Sequence, residues 1–188
     1  MVLPGHLAGG YLAARAALFL AHASFTSSQT AALLTVGTLA GEFPDIDLIF
    51  YYFNQRAKTA RKIDDHRTYI THAPLVWLAV SLLVVAAGFI FNSSFMEWIG
   101  WMVLSGTMSH FILDSIESGI PWLWPLSRKR FALRRTPDEN EPTADRGAPA
   151  RKGTFRAYWR FVTGPYLRSW TMWAELVITL AAIWTLFH

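Results

Sequence analysis

The sequence predicts an all-α fold, a polytopic membrane bundle of about five helices forming a single domain over residues 1–188. Three observations predict it. Hydrophobic residues make up 53% of the chain and charged residues 16%, where a soluble domain averages roughly 25% charged. The charge deficit is local, with long apolar stretches alternating with short basic ones. The basic residues, finally, are confined to particular linkers.

A bilayer core of ~30 Å takes about 20 apolar helical residues. The first candidate, Leu7 to Ala23, contains Arg15. Its end, Ala21-His22-Ala23, resembles a small-residue cleavage site. No Lys or Arg precedes the apolar run, however, and Arg15 breaks it, so a cleaved signal peptide is not expected. The second, Thr30 to Phe43, is short for a full span, and the two are expected to form a tight hairpin, tilted or partly re-entrant. Within it Gly37 and Gly41 make a GxxxG pair; Ser105 and Ser109 make a similar small-residue pair further on, and such spacing lets helices approach closely. Ala73 to Phe91 carries no charge at all. Phe95 to Leu113 holds Glu97 near one end and His110 near the other, and Trp170 to Phe187 is interrupted only by Glu175. Residues 134–153 are polar and rich in Pro, Ala and acidic side chains without periodicity, the pattern of a disordered loop. Thr154 to Tyr166 mixes Arg with aromatic residues, which fits either an interfacial segment or a plain basic connector.

Five basic residues fall between Tyr51 and His72, and eleven between Ser115 and Ser169; the linkers His22–Gln29 and Asn92–Ser94 have none. Five spans with the N-terminus inside put both basic segments in the cytoplasm, as the positive-inside rule requires. Seven tryptophans near span ends, Trp98 and Trp170 among them, suit an aromatic belt. The expected location is therefore a bacterial inner membrane, multi-pass, with the bilayer as partner. That topology also accounts for the net charge of +4, so nucleic acid is not an expected partner.

The chain has no cysteine. Disulfides and thiolate metal sites are excluded, and any metal must be held by nitrogen and oxygen. Of the six histidines, His22 and His188 fall on the outer side. His6, His66, His72 and His110 fall at the inner face, together with Asp45, Asp47 and Asp114, with Glu175 near the inner end of the last span. His110 and Asp114 are four residues apart and share a helix face. Asp45 and Asp47 repel each other unless a cation or an Arg lies between them. Thr71 or His72 is placed to cap the helix that Pro74 opens, and Arg67 is placed to hold a phosphate oxygen or carboxylate. Ionisable groups at the end of an apolar helix are costly unless paired or solvated. The metal-ligand candidates are thus His6, Asp45, Asp47, His66, His72, His110, Asp114 and Glu175. The bland alternatives are buried His–Asp hydrogen bonds that only lock helices together, and a basic flank with incidental histidines. The donor set suits zinc, with manganese or iron as alternatives, and has room for one ion or two.

Pro44-Asp45-Ile46-Asp47, His66-Arg67-Thr68 with Thr71-His72, Ser109-His110-Phe111-Ile112-Leu113-Asp114, and Gly119 through Pro125-Leu126-Ser127 together resemble the YdjM-like family of predicted membrane-bound metal-dependent hydrolases. The resemblance covers Met1 to Phe131. Glu42 departs from it, standing where a small or apolar residue is expected. A fainter likeness, carried by His110 and Asp114, is to zinc-dependent phospholipase C. These resemblances imply hydrolysis of a phosphate ester, with a phospholipid at the inner leaflet as one substrate; Asp45 or Asp47 would orient the attacking water and Arg67 would hold the phosphate. The competing expectation is a non-catalytic metal-binding membrane protein, an ion transporter or an assembly factor.

Overall fold

The computed structural model describes residues 3–47, 70–116, 119–133, 163 and 166–188. Five α-helices lie within them: α1 (Leu3–Leu20), α2 (Ser27–Ala40), α3 (Pro74–Ile90), α4 (Ser94–Ser115) and α5 (Trp170–Phe187). There is no strand among the described residues, only one antiparallel bridge between Ile120 and Phe131. The all-α expectation holds. His66, Arg67, the segment 134–153 and most of Thr154–Tyr166 lie outside the described residues.

Local chemistry sets the helix starts. Thr26 caps α2 in a reciprocal box with Gln29, which starts that helix three residues before the apolar run suggests. Ser93 accepts from the Met96 amide to open α4, and Ser169 accepts from the Met172 amide to open α5. A cap of this kind contributes about 1 kcal/mol. Pro44 ends the second segment early, at Ala40, and the chain continues as a 3-10 turn over Phe43–Ile46. The α3 start corrects an expectation. Its N-cap is Ala73, with no side-chain cap, because Thr71 and His72 lie in a separate 3-10 turn, Ile70–His72, with their polar atoms turned to Asp47. Pro74 has no N–H to satisfy, so the uncapped start is cheap.

Helices α1, α2 and α4 pack on one another, α3 packs on α4, and α5 packs chiefly on α1. Glycine makes the central contacts possible. A Cβ on Gly37 would run into Ala14 of α1, one on Gly41 into the His6 carbonyl, and one on Gly106 of α4 into the Gly37 carbonyl. The Gly37–Gly41 pair is therefore the face on which α2 meets both neighbours. Ala14, Leu18, Leu33 and Met102 form the core beside it. Helices α1 and α5 run side by side in the same direction. Gly5 faces Glu175, and ten residues further along Arg15 donates to the Thr185 carbonyl and to the Tyr11 hydroxyl. The charge that interrupts α1 is thus spent near the C-terminal end of α5, where a cation is favoured.

Among the described helices only α5 is long and apolar enough to cross a membrane by length and composition; α3 is apolar throughout but has 17 residues. At 1.5 Å per residue, the 14 residues of α2 reach ~21 Å. Polar side chains lie inside the bundle, where His6, Asp47, His72, Ser81, Thr107, His110, Asp114 and Glu175 are buried. Large apolar side chains lie outside it, among them Phe19, Leu83, Ile90, Val177, Trp184 and Phe187.

Candidate metal centre

Each turn of the chain at one end of the bundle delivers part of the cluster. His6 comes from the first turns of α1, Asp45 and Asp47 from the 3-10 turn after α2, and His72 from the turn before α3. His110 and Asp114 come from the last turns of α4. Segments 119–133 fold beneath that end: the Leu133 amide donates to the Ser115 carbonyl and the Trp122 indole to the Ser115 hydroxyl.

The ring nitrogens have assigned work. His110 Nδ1–H donates to the Gly41 carbonyl oxygen at 2.8 Å. Its Nε2 is then the lone-pair nitrogen, buried and without a hydrogen-bond partner. It lies 3.9 Å from Asp45 Oδ1 and 3.9 Å from Asp114 Oδ2. His72 Nδ1–H donates to Asp47 Oδ2 at 2.8 Å, and the Thr71 hydroxyl donates to the same oxygen. That leaves His72 Nε2 facing Asp45 Oδ1 at 3.3 Å. His6 Nε2 lies 3.4 Å from Asp114 Oδ1, and its ring stacks on that of His110 with centroids 3.9 Å apart. The imidazole of His72 occupies the space between Asp45 and Asp47, which is what relieves the repulsion between them.

Two triads result, His6–His110–Asp114 and Asp45–His72–His110, each with ligand atoms within 4.8 Å of one another. The donor set is three imidazoles and two carboxylates, all deeply buried except Asp45, which is 16% exposed. The orphaned Nε2 of His110 at their centre fits a metal ion: a buried lone pair facing two carboxylates needs either a proton or a cation. Both triads use His110, whose other nitrogen is held by Gly41, so they describe one shared position.

Asp47 stands behind His72 rather than beside the shared position. A carboxylate that fixes the tautomer and ring orientation of a metal-binding histidine is a common supporting arrangement. Glu175 is buried on α5 against Gly5 and belongs to neither triad.

The charges at this end are strongly coupled. Burial opposes ionisation of Asp45, but its hydrogen bond to His72 and the fields of His110 and His6 prevail and hold it down at about 2. Burial likewise disfavours the His72 cation, yet hydrogen bonds to Asp45 and Asp47 raise it above the ordinary range. Glu42 is pushed up to about 8, first by burial and then by the charges of Asp45, Asp114 and Glu175. Three features went unread in the sequence. These are the Gly41 carbonyl as the anchor of His110, the Thr71 hydroxyl on Asp47, and Glu42 as a partly buried carboxyl among carboxylates. The signal for Glu42 was available, in its departure from the small or apolar residue expected there.

No curated protein matches the chain, and no solved structure does. The match to a known family runs from the first residue through the last helix, taking in every element that contributes to the cluster: the chain belongs to the YdjM inner membrane protein family, whose family model matches residues 1–187.

Proposed function

We propose that this protein is a multi-pass inner-membrane hydrolase, a phosphoesterase dependent on a divalent cation held at the cytoplasmic end of the bundle. One observation carries the reading: His6, Asp45, His72, His110 and Asp114 converge from four separate stretches of chain, with imidazole nitrogens turned to carboxylates in a buried cluster. The polarity of the bundle supports the multi-pass part. Soluble monomers rarely expose apolar patches beyond a few hundred Å², whereas here the outward faces of α3 and α5 are apolar and the ionisable groups are inside. The Lys and Arg distribution supports placing the cluster on the cytoplasmic side.

His6, His72 and His110 would hold the cation through Nε2, with Asp45 and Asp114 as the carboxylate ligands. Zinc suits this set, and manganese or iron is the alternative. When bound, such an ion supplies Lewis acidity toward a phosphoryl oxygen and brings the pKa of water toward neutrality. The chain does the rest. Asp47 holds His72 by Nδ1, so that Nε2 is turned toward Asp45. Asp45, at the exposed edge of the cluster, orients the attacking water. Arg67 neutralises a phosphate oxygen. The cluster lies at one end of the bundle, whereas a transport site is expected near the membrane midplane, which favours hydrolysis over carriage of the ion.

The test is elemental analysis of detergent-purified protein together with release of phosphate or a headgroup from phospholipid vesicles. The expected result is bound divalent metal and chelator-sensitive release, both lost in a folded His110→Ala variant. Protein that stays metal-free after incubation with zinc and dialysis overturns the reading. Metal flux into proteoliposomes, lost in Asp114→Ala and unaccompanied by hydrolysis, would replace it with transport.

A further inference from the structure

Helix α5 packs chiefly on α1 and leaves a gap toward α2. The gap is a lateral groove of about 620 Å³, floored by Leu7, Ala8 and Tyr11 and walled by Leu34, Thr38 and Ala182. Its surface is largely apolar, and three of the four hydroxyls that line it, those of Tyr11, Thr35 and Thr38, are engaged. Thr38 donates to the Leu34 carbonyl at 2.7 Å and Thr35 to the Ala31 carbonyl at 2.8 Å. The Tyr11 hydroxyl lies 3.4 Å from the Thr185 carbonyl and accepts from Arg15.

The chemistry of the lining chooses the occupant. The α2 wall runs from Leu39 to Ala31, about 12 Å at 1.5 Å per residue. An extended peptide would leave most of its N–H and C=O groups facing an apolar wall, which is costly away from water. A polymethylene chain has no such groups, and the surrounding solvent of an inner-membrane protein is made of them.

The groove begins at the same end of the bundle as the metal centre. Leu7, on its floor, follows His6; Leu39, on its wall, lies two residues before Gly41, whose carbonyl holds His110. At the other end it reaches Ala31 and Leu186, well along the bundle.

We propose that this groove is a subsite for one fatty acyl chain of a membrane lipid, so that the phosphate ester hydrolysed at the cluster is a lipid rather than a soluble molecule. The chain lies along α1 between α2 and α5, with its headgroup at the His/Asp end. The acyl-chain subsite itself stands on the groove's geometry; only the fate of the headgroup rests on the hydrolase reading above.

The experiment reconstitutes the full-length protein into vesicles of phosphatidylethanolamine and phosphatidylglycerol, doped with a phosphatidylcholine carrying a photoreactive diazirine at the end of one chain. Labelled residues are mapped by mass spectrometry. The expected result is label concentrated on Ala31, Ile183 and Leu186, above the level at Leu83 and Ile90, the outward-facing residues of α3. Uniform labelling of all apolar faces overturns the proposal, and so does a groove protected by crosslinks to another segment or a second copy of the chain. Ala8→Phe narrows the floor, and labelling at Ile183 should fall roughly tenfold, the loss that exclusion of about two methylenes gives, while Leu83 keeps its label. Ala182→Leu makes the same test should Ala8→Phe not fold. His110→Ala separates the two readings. Groove labelling in wild type and variant without any hydrolysis retires the hydrolase and keeps the subsite. Hydrolysis of phospholipid undiminished by a filled groove retires the subsite and keeps the hydrolase.

Discussion

His110 and Gly41 are joined by a hydrogen bond from the imidazole Nδ1–H to the carbonyl oxygen at 2.8 Å. The bond ties the C-terminal end of α4 to the turn after α2, and it settles which nitrogen of His110 is available. With Nδ1 committed, both triads must compete for the same Nε2. The expectation is a single equivalent of zinc per chain after reconstitution and dialysis. Elemental analysis against protein concentration measures it, and two equivalents retained equally by wild type and His110→Ala would show that the triads are not the site.

Asp45 and Asp47 are two residues apart and are expected to behave differently. Asp45 Oδ1 faces both His72 Nε2 and His110 Nε2, while Asp47 Oδ2 is occupied by His72 Nδ1–H and the Thr71 hydroxyl. Loss of an orienting partner costs about 10–100-fold in metal affinity, so Asp47→Ala should bind zinc within that range of wild type. Asp45→Asn removes a charged ligand and should fall well beyond it. Competition with a chromophoric chelator reads both values. Equal losses would mean that Asp47 touches the ion directly.

The chelated protein should lose stability as pH rises. His72 has a raised pKa in the fold, so its contribution is complete below the unfolded value of ~6.5 and is lost as pH climbs through the folded one. Glu42 acts in the same sense. It stays protonated in the fold until about 8, whereas an unfolded glutamate ionises near ~4.3, so the folded state binds the extra proton throughout that window. Asp45 opposes them only in acid, as pH falls from ~3.9 toward its folded value of about 2. Thermal unfolding of chelator-treated protein should show a falling Tm from near neutral to mildly alkaline pH, above the ~6.5 at which an unfolded histidine has already lost its proton. The slope should flatten in Glu42→Gln. Adding zinc should reverse the trend, because binding expels the His72 proton. A Tm of the chelated protein that rises with pH would contradict the assigned charge states.

The helices were legible because apolar length and capping are local properties, and the ligand set was legible because His and Asp are rare in such a chain. His110 and Asp114 could be paired from spacing alone, since four residues on a helix share a face. What could not be read was how the pieces divide their work. His72 and Asp47 are 25 residues apart, and nothing local says that one ring bridges both aspartates. The capping role expected for Thr71 and His72 failed for the same reason: a tertiary partner took the atoms that a cap would use. The family likeness read from motifs ended at Phe131, whereas the family match continues to residue 187. The last helix carries no compact motif; its ties to α1, at Glu175–Gly5 and Thr185–Arg15, are made across the whole chain.

Gly41 offers the sharpest test of how packing and site are joined. A Cβ there would meet the His6 backbone carbonyl, with no flexible side chain able to give way. Overpacking of this kind costs typically about 1–3 kcal/mol, so Gly41→Ala should lower stability by that order. Gly41 also supplies the carbonyl that orients His110, and α1 pressed away at this point carries His6 with it, so one methyl group disturbs two ligands. Gly88→Ala is the control. Its Cβ would meet the backbone of Glu97 where α3 packs on α4 near the opposite end of the bundle, a comparable crowding far from the cluster. Both variants should unfold at lower temperature in detergent, and only Gly41→Ala should bind zinc more weakly. Parallel losses of affinity in the two variants would mean that metal binding follows global stability rather than the position of these two histidines.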